Sequence, residues 1–364
     1  MPSSTSREPL EPIAWDVAIR VARQALRLSP AFDPEKWRSL QADFDGYTAR
    51  AHELVEAATG LRSNAGQPRA RVVDRAGWVE ANIGSFRRLL APLTERLASG
   101  DAAKHVLTPA NRAAAGVEVG LVLAWMPGRV IGQYDLLPAD DEQSGDVIYY
   151  VGPNVLNLEA RHGFASSEFG LWIALHEVTH REQFTGVPWM RDYFLGLIEK
   201  GSAMNAPDAS TILDALRRAV TEIRAGRNPL AEGGVIGLLA NSEQLATLRE
   251  AQALMSLLEG HGDVVMSGPA AQSIPGAKRF AKVLAERRAS AKGAQKVIQQ
   301  LLGLEAKLRQ YAEGERFVEA VFDAGGDDLF SRVWLSSANL PTMEEIREPS
   351  RWIERVGGFA HSAA

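Results

Sequence analysis

The chain has 364 residues, of which 46% are hydrophobic and 23% charged, an ordinary globular composition large enough for a sizeable core and incompatible with large-scale disorder. A formal net charge of -5 and a pI near 5.9 give no general attraction to phosphate backbones or anionic lipid, so neither nucleic acid nor a membrane is the expected partner. The absence of cysteine excludes disulfides and thiolate metal ligands.

Residues 1 to about 12 are rich in Ser, Pro and Glu and read as disordered. They lack the basic stretch and apolar run of an export signal, and no run of about 18 apolar residues follows anywhere, so a cytoplasmic location is expected. Apolar spacing predicts helices over Ile13–Leu28, Leu40–Thr59 and Trp78–Ala98, the last two separated by a polar loop over Arg62–Arg69. Residues 1–110 are therefore expected to form an N-terminal helical region.

Between 116 and 156 the pattern changes to short β-branched or aromatic runs: Gly120–Trp125, Arg129–Asp135 and Asp146–Val151. Met126–Gly128 and Pro138–Gly145 between them have turn composition. A small antiparallel or mixed sheet is expected here, next to the helix that follows, with Asp146–Val151 as an edge strand on which an extended peptide could add. From Trp189 to about Val321 the chain reads as helical again, with breaks at Gly201–Pro207, Gly226–Gly237 and Gly268–Gly276. Residues 278–296 carry seven Lys or Arg and one acid, Glu286, and read as a solvated helix face because few aromatics interleave. The expected fold class is α+β, predominantly α-helical.

The segment 167–185 carries the chemistry. His176, Glu177 and His180 form an HExxH box, a pattern expected in roughly 0.01 shuffled chains of this composition. Phe169, Trp172, Ile173, His176, His180 and Phe184 recur at helical spacing, Ser166 or Ser167 can cap the start, and Gly186 with Pro188 marks the stop. On such a helix the imidazoles of His176 and His180 share a face and can reach one metal ion, with Glu177 beside them as general base. Imidazole ligands without thiolates favour zinc, Zn2+.

Catalytic zinc takes three protein ligands and leaves one position to water. The remaining histidines are His52, His105, His162, His261 and His361. The segment Leu254–Met266 places Glu259, His261 and Asp263 in an otherwise apolar helix, and a carboxylate buried in such a run needs a partner or a metal. Glu259 and Asp263 share a face, whereas His261 is turned about 200° from Glu259. Glu259 is the preferred third ligand, with Asp263 available to take the outer N–H of a liganding histidine. His261 is the alternative if the helix distorts at Gly260 or Gly262.

HExxH followed by the Glu259-x-x-x-Asp263 helix resembles the gluzincin arrangement of zinc peptidases. Gly132–Asp135, Tyr150–Asn154, His176–Phe184 with Pro188-Trp189, Ala253–Met266 and Pro349–Val356 together resemble a bacterial zincin-like metallopeptidase family, formerly a domain of unknown function. The resemblance implies a zincin-like region over 111–364, zinc at His176 and His180, Glu177 as base and Glu259 as third ligand. It carries a loose association with deazaflavin coenzyme biosynthesis. One departure is the 79-residue separation of His180 from Glu259, which demands that a large helical insertion fold back.

The expected activity is hydrolysis of a peptide or amide substrate. Tyr149, Tyr150, Tyr311 or His162 could supply an oxyanion donor, and the sequence does not choose among them. Two other readings compete. A di-iron carboxylate site would pair Glu159-x-x-His162 with Glu177-x-x-His180, but only 14 residues separate the motifs, too few for two facing helices. A catalytically inactive protein with a structural metal site and a binding role would be marked by a fourth protein ligand such as His261.

Overall fold

The computed structural model describes residues 11–27, 33–99, 107–136, 146–202, 242–289 and 304–358. The expected turn at Pro138–Gly145, the break at Gly226–Gly237, residues 290–296 of the basic stretch, His105 and His361 lie outside them. The chain divides into two compact units, one of residues 1–42 and 70–161, the other of residues 43–69 and 162–364. Among the described residues, no helix is long and apolar enough to cross a membrane.

The first unit is built from α1 (Trp15–Leu26), the first part of α2 (Pro34–Thr59), β1 (Arg69–Val73), α3 (Arg75–Ser99), α4 (Pro109–Trp125), β2 (Gly132–Tyr134), β3 (Val147–Val151) and nearly all of α5 (Gly152–His162). The apolar run Gly120–Trp125 is not a strand; it is the end of α4. Thr108 caps that helix by accepting from Asn111 N–H, and Pro109 occupies its first turn, a start signal that outweighs the β-branched run downstream. Gly116 and Gly120 bring α4 onto α1 at backbone distance: a Cβ at either would lie 2.5 or 2.6 Å from the carbonyl oxygen of Ala14 or Ala18. No strand can offer that contact.

The sheet is three-stranded, in the order β1-β3-β2, with β2 antiparallel to β3. Asp146–Val151 is consequently the central strand rather than an edge, with Val147 to Val151 buried throughout, which removes it as a platform for strand addition. The strand the sequence reading missed, β1, takes the other side. Its outer backbone is satisfied by a side chain: the Gln41 amide donates to Ala70 O (3.1 Å) and accepts from Val72 N–H (2.8 Å). Ala22, Val73, Trp78, Val79, Leu123, Val147, Tyr149 and Val151 form the core of this unit.

The second unit holds the rest of α2 and then α6 (Ser166–Thr185), α7 (Met190–Ser202), α8 (Ser242–Ser267), α9 (Ala277–Ala289), α10 (Leu304–Phe330), α11 (Met343–Arg347) and α12 (Pro349–Trp352). The structure is thus predominantly helical with one small sheet. Helices α8 and α10 touch backbone to backbone, since a Cβ at Gly260 would meet the Gly314 carbonyl carbon at 2.2 Å and one at Gly314 the Ser256 carbonyl oxygen at 1.9 Å. Behind this contact, Leu257, Phe317, Val321, Phe330, Ile346 and Trp352 form a buried cluster. A second cluster, with Leu61, Val187, Met190, Leu254 and Leu258, packs α7 and α8 together. Between them, the clusters leave α8 little freedom to rotate or slide.

Candidate metal centre

Helix α6 begins one residue earlier than its serines suggest: the N-cap is Ala165, without a side-chain cap bond, and Gly186 ends the helix. The helix is also buried far beyond one face, because Phe169, Trp172, Ile173, Glu177, Thr179, Arg181, Glu182 and Gln183 are all enclosed. Buried polar groups cost free energy unless bonded, and here most are. Thr179 Oγ1 donates to Leu175 O at 2.7 Å. The Arg181 guanidinium reaches Glu182 Oε1 at 2.6 Å and Gly66 O at 2.5 Å, and His52 Nδ1 meets the same Glu182 oxygen at 3.0 Å. Burial pushes the Glu182 carboxyl up, against the pull of Arg181 and His52. The sequence reading missed this cluster, which locks α6 to α2 and to the loop at Gly66.

Opposite that cluster, three side chains converge. His176 Nε2 and His180 Nε2 lie 3.2 Å apart, and Glu259 Oε2 lies 3.8 Å from the first and 3.7 Å from the second. Ligand atoms at about 2.05 Å from a tetrahedral zinc are separated by about 3.3 Å, so this triangle has nearly the dimensions such an ion needs. The donor set suits zinc too: two imidazoles and one carboxylate. Gly262 brings the backbone of α8 against both rings, its hypothetical Cβ 3.6 Å from His176 Nδ1 and 3.8 Å from His180 Cε1. A larger side chain there would intrude on the imidazoles.

The outer imidazole nitrogens, one of which the sequence reading offered to Asp263, have further groups beside them. His176 Nδ1 contacts Met266 Sδ at 3.1 Å, while His180 Nδ1 bonds Gln183 Oε1 at 2.9 Å. Gln183 Nε2 reaches Leu258 O at 2.9 Å and His261 Nδ1 at 3.0 Å. Because a carbonyl can only accept, the amide nitrogen must face Leu258, and the amide oxygen must therefore face His180. It follows that His180 Nδ1 carries a proton and that its Nε2 is the atom offered to the triangle. Gln183 was legible as a residue but not as a partner, since its role depends on which turn of α8 lies opposite.

Charge is balanced around the same point. Burial works to lower the His180 pKa, but the hydrogen bond and charge of Glu259, with the charge of Glu177 and the bond to Gln183, outweigh it and raise the value to about 9. Without a metal, His180 is thus a buried imidazolium answering two carboxylates. His261 goes the other way, lowered to about 3 by burial and by the nearby His180, so its ring is neutral.

Among the described residues, no other His or carboxylate candidate joins the three-atom group. His261 stacks on Phe330 at 5.2 Å between centroids and does not join the three-atom group. His162 stacks on Phe164 at 5.3 Å, and its carbonyl accepts from Arg279. Tyr149 and Tyr150 are buried in β3 of the first unit, and the side chain of Tyr311 is outside the described set. Asp263 is half-buried, one turn beyond Glu259.

The sequence profile of a zincin-like metallopeptidase family matches residues 13–353. The chain is also similar to a solved structure from Chloroflexus aurantiacus, described as a candidate hydrolase with a novel fold, with 31% identity over 94% of this chain and 98% of that one and a TM-score of 0.69. No protein of curated function matches the chain.

Proposed function

The chain belongs to the zincin-like metallopeptidase family, and on that premise we propose that it is a zinc-dependent hydrolase of a peptide or amide substrate, with His176, His180 and Glu259 as ligands and Glu177 as general base. The observation that carries this reading is the convergence of His176 Nε2, His180 Nε2 and a Glu259 oxygen within 4.8 Å of one another, although Glu259 lies 79 positions after His180 in the sequence. A zinc ion held there would supply a Lewis acid that polarises a carbonyl and lowers the pKa of water towards about 7.

The chain's own residues do the rest. Glu177 is buried beside His180, where a carboxylate accepts a proton from the attacking water and returns it to the departing amine. Glu259 offsets the positive charge gathered between the imidazoles. Gln183 holds His180 in the tautomer that presents Nε2, which makes it a positioning residue. The removal of His261 from the three-atom group supports an open catalytic site over a closed structural one, because a structural zinc takes a fourth protein ligand.

Glu177→Gln tests this reading. The variant is expected to bind one equivalent of zinc as the wild type does and to lose hydrolysis of a peptide library by at least a hundredfold. Retained turnover would overturn the role of Glu177.

A further inference from the structure

The cluster behind α6 contains a second set of ligand atoms. His52 and Glu56 stand one turn apart on α2, and Glu182 comes from α6. A nitrogen of His52 and one oxygen from each carboxylate lie within 4.8 Å of one another. Glu182 Oε1 is 3.0 Å from His52 Nδ1, and Glu56 Oε1 is 3.7 Å from His52 Nε2. Neighbouring ligands of one first-row ion are separated by about 3 Å, so small side-chain rotations would close the three onto a cation. None of His176, His180 or Glu259 belongs to this group.

A separate observation points to an occupant. The Glu182 side chain is wholly buried, yet its Oε2 has no hydrogen-bond partner among the described residues. Arg181 at 2.6 Å and His52 both engage Oε1, so the carboxylate is anchored through one oxygen while the other is left unmatched. A buried carboxylate oxygen in that position costs free energy that a bound cation recovers. Arg181 answers only one of the two carboxylates, and no Lys or Arg pairs with Glu56 among the described residues. The Glu56 side chain is 32% exposed, which gives an ion a way in from solvent. The frame is already set, because α2 and the chain just beyond it meet α6 on either side of the group. The Tyr47 ring lies against Gly170, and the Arg62 backbone lies 3.2 Å from where a Cβ on Gly186 would be.

We propose that His52, Glu56 and Glu182 hold a second divalent cation, of the manganese class, which ties α2 to the back of α6. Two carboxylates with water on the Glu56 side suit a harder first-row ion, and one imidazole is compatible with it. Arg181 stays on Glu182 Oε1, and Oε2 goes to the ion. The role is structural: the ion fixes the helix that carries His176, Glu177 and His180 from the side opposite to them. The site uses none of the three proposed zinc ligands, so it stands or falls apart from the hydrolase reading.

The full chain, loaded with one equivalent of zinc, is titrated with Mn2+ alone while the electron paramagnetic resonance signal of free Mn2+ is followed. One saturable Mn2+ per chain is expected, with a spin-echo coupling to one imidazole nitrogen. Glu56→Gln, which alters a partly exposed side chain and should keep the wild-type Tm, is expected to weaken Mn2+ binding at least tenfold. His52→Gln is expected to abolish the nitrogen coupling. Glu259→Ala strikes only the zinc triangle and should leave the Mn2+ affinity unchanged, so a failure of the zinc assignment is read separately. No saturable site, no nitrogen coupling, undiminished affinity in Glu56→Gln, or loss of the site in Glu259→Ala would overturn the proposal.

Discussion

At the scale of single residues, the centre depends on an amide as much as on its ligands. Gln183 is fully buried and joins three groups that must agree: His180 Nδ1, Leu258 O and His261 Nδ1. Its removal would let the His180 ring rotate and would orphan an acceptor on α8. Gln183→Ala is therefore expected to weaken zinc binding by about tenfold to a hundredfold, the range seen when groups that orient liganding histidines are removed. Competition with a chromophoric chelator measures this directly, and an unchanged affinity would mean that packing alone orients His180. His176, Glu177 and His180 could be read from the chain because spacing within one helix fixes their geometry. Gln183 could not, since nothing local distinguishes a bridging glutamine from an ordinary buried one.

At the scale of elements, the legible features were those with long, regular periodicity or strong terminators. Helix α6 emerged within a residue of its expected bounds, 167–185 against Ser166–Thr185. The run Gly120–Trp125 misled because six apolar residues are compatible with either strand or helix, and the deciding contacts of Gly116 and Gly120 with α1 are tertiary. Strand β1 was missed for the converse reason: five residues, two of them arginine, pair with β3 and with the side chain of Gln41.

Helix α11 illustrates a signal that works locally. Thr342 and Glu345 form a reciprocal capping box, and Arg355 holds Glu345 through both carboxylate oxygens, at 2.6 and 3.0 Å. Burial pushes the Glu345 carboxyl up, but the bonds from Arg355 and from the Thr342 backbone outweigh it and bring its pKa below the ordinary 4.5. A depressed folded-state pKa contributes stability that is present above 4.5 and is lost as the pH falls through the folded value. Thermal melts of the wild type should show this loss below about pH 4.5. Glu345→Gln should be less stable than wild type at pH 7 and should converge on it in acid; a constant gap down to pH 3 would contradict the assignment.

At the scale of the whole molecule, the metal ligands come from two helices that the chain visits far apart, and their meeting is secured by packing rather than by sequence proximity. The backbone contact of Gly260 with Gly314 sets α8 at a fixed depth, one residue from Glu259. An ion bridging α6 and α8 should stabilise the folded state by mass action, by about 2.7 kcal/mol at a hundredfold excess over its Kd. Thermal denaturation with zinc and then with a chelator checks this, and in Glu259→Ala the zinc-dependent increment should largely vanish. A full increment in that variant would remove Glu259 from the ligand set.

The central claim is that three side chains hold one zinc and leave a position open. An anomalous-difference map at the zinc edge, from crystals of the full chain grown with zinc, addresses it most directly. The account predicts one strong peak at about 2.0–2.2 Å from His176 Nε2, His180 Nε2 and a Glu259 oxygen, with no fourth protein atom in contact. A peak ligated by His261 as well, or a peak that excludes Glu259, would contradict it.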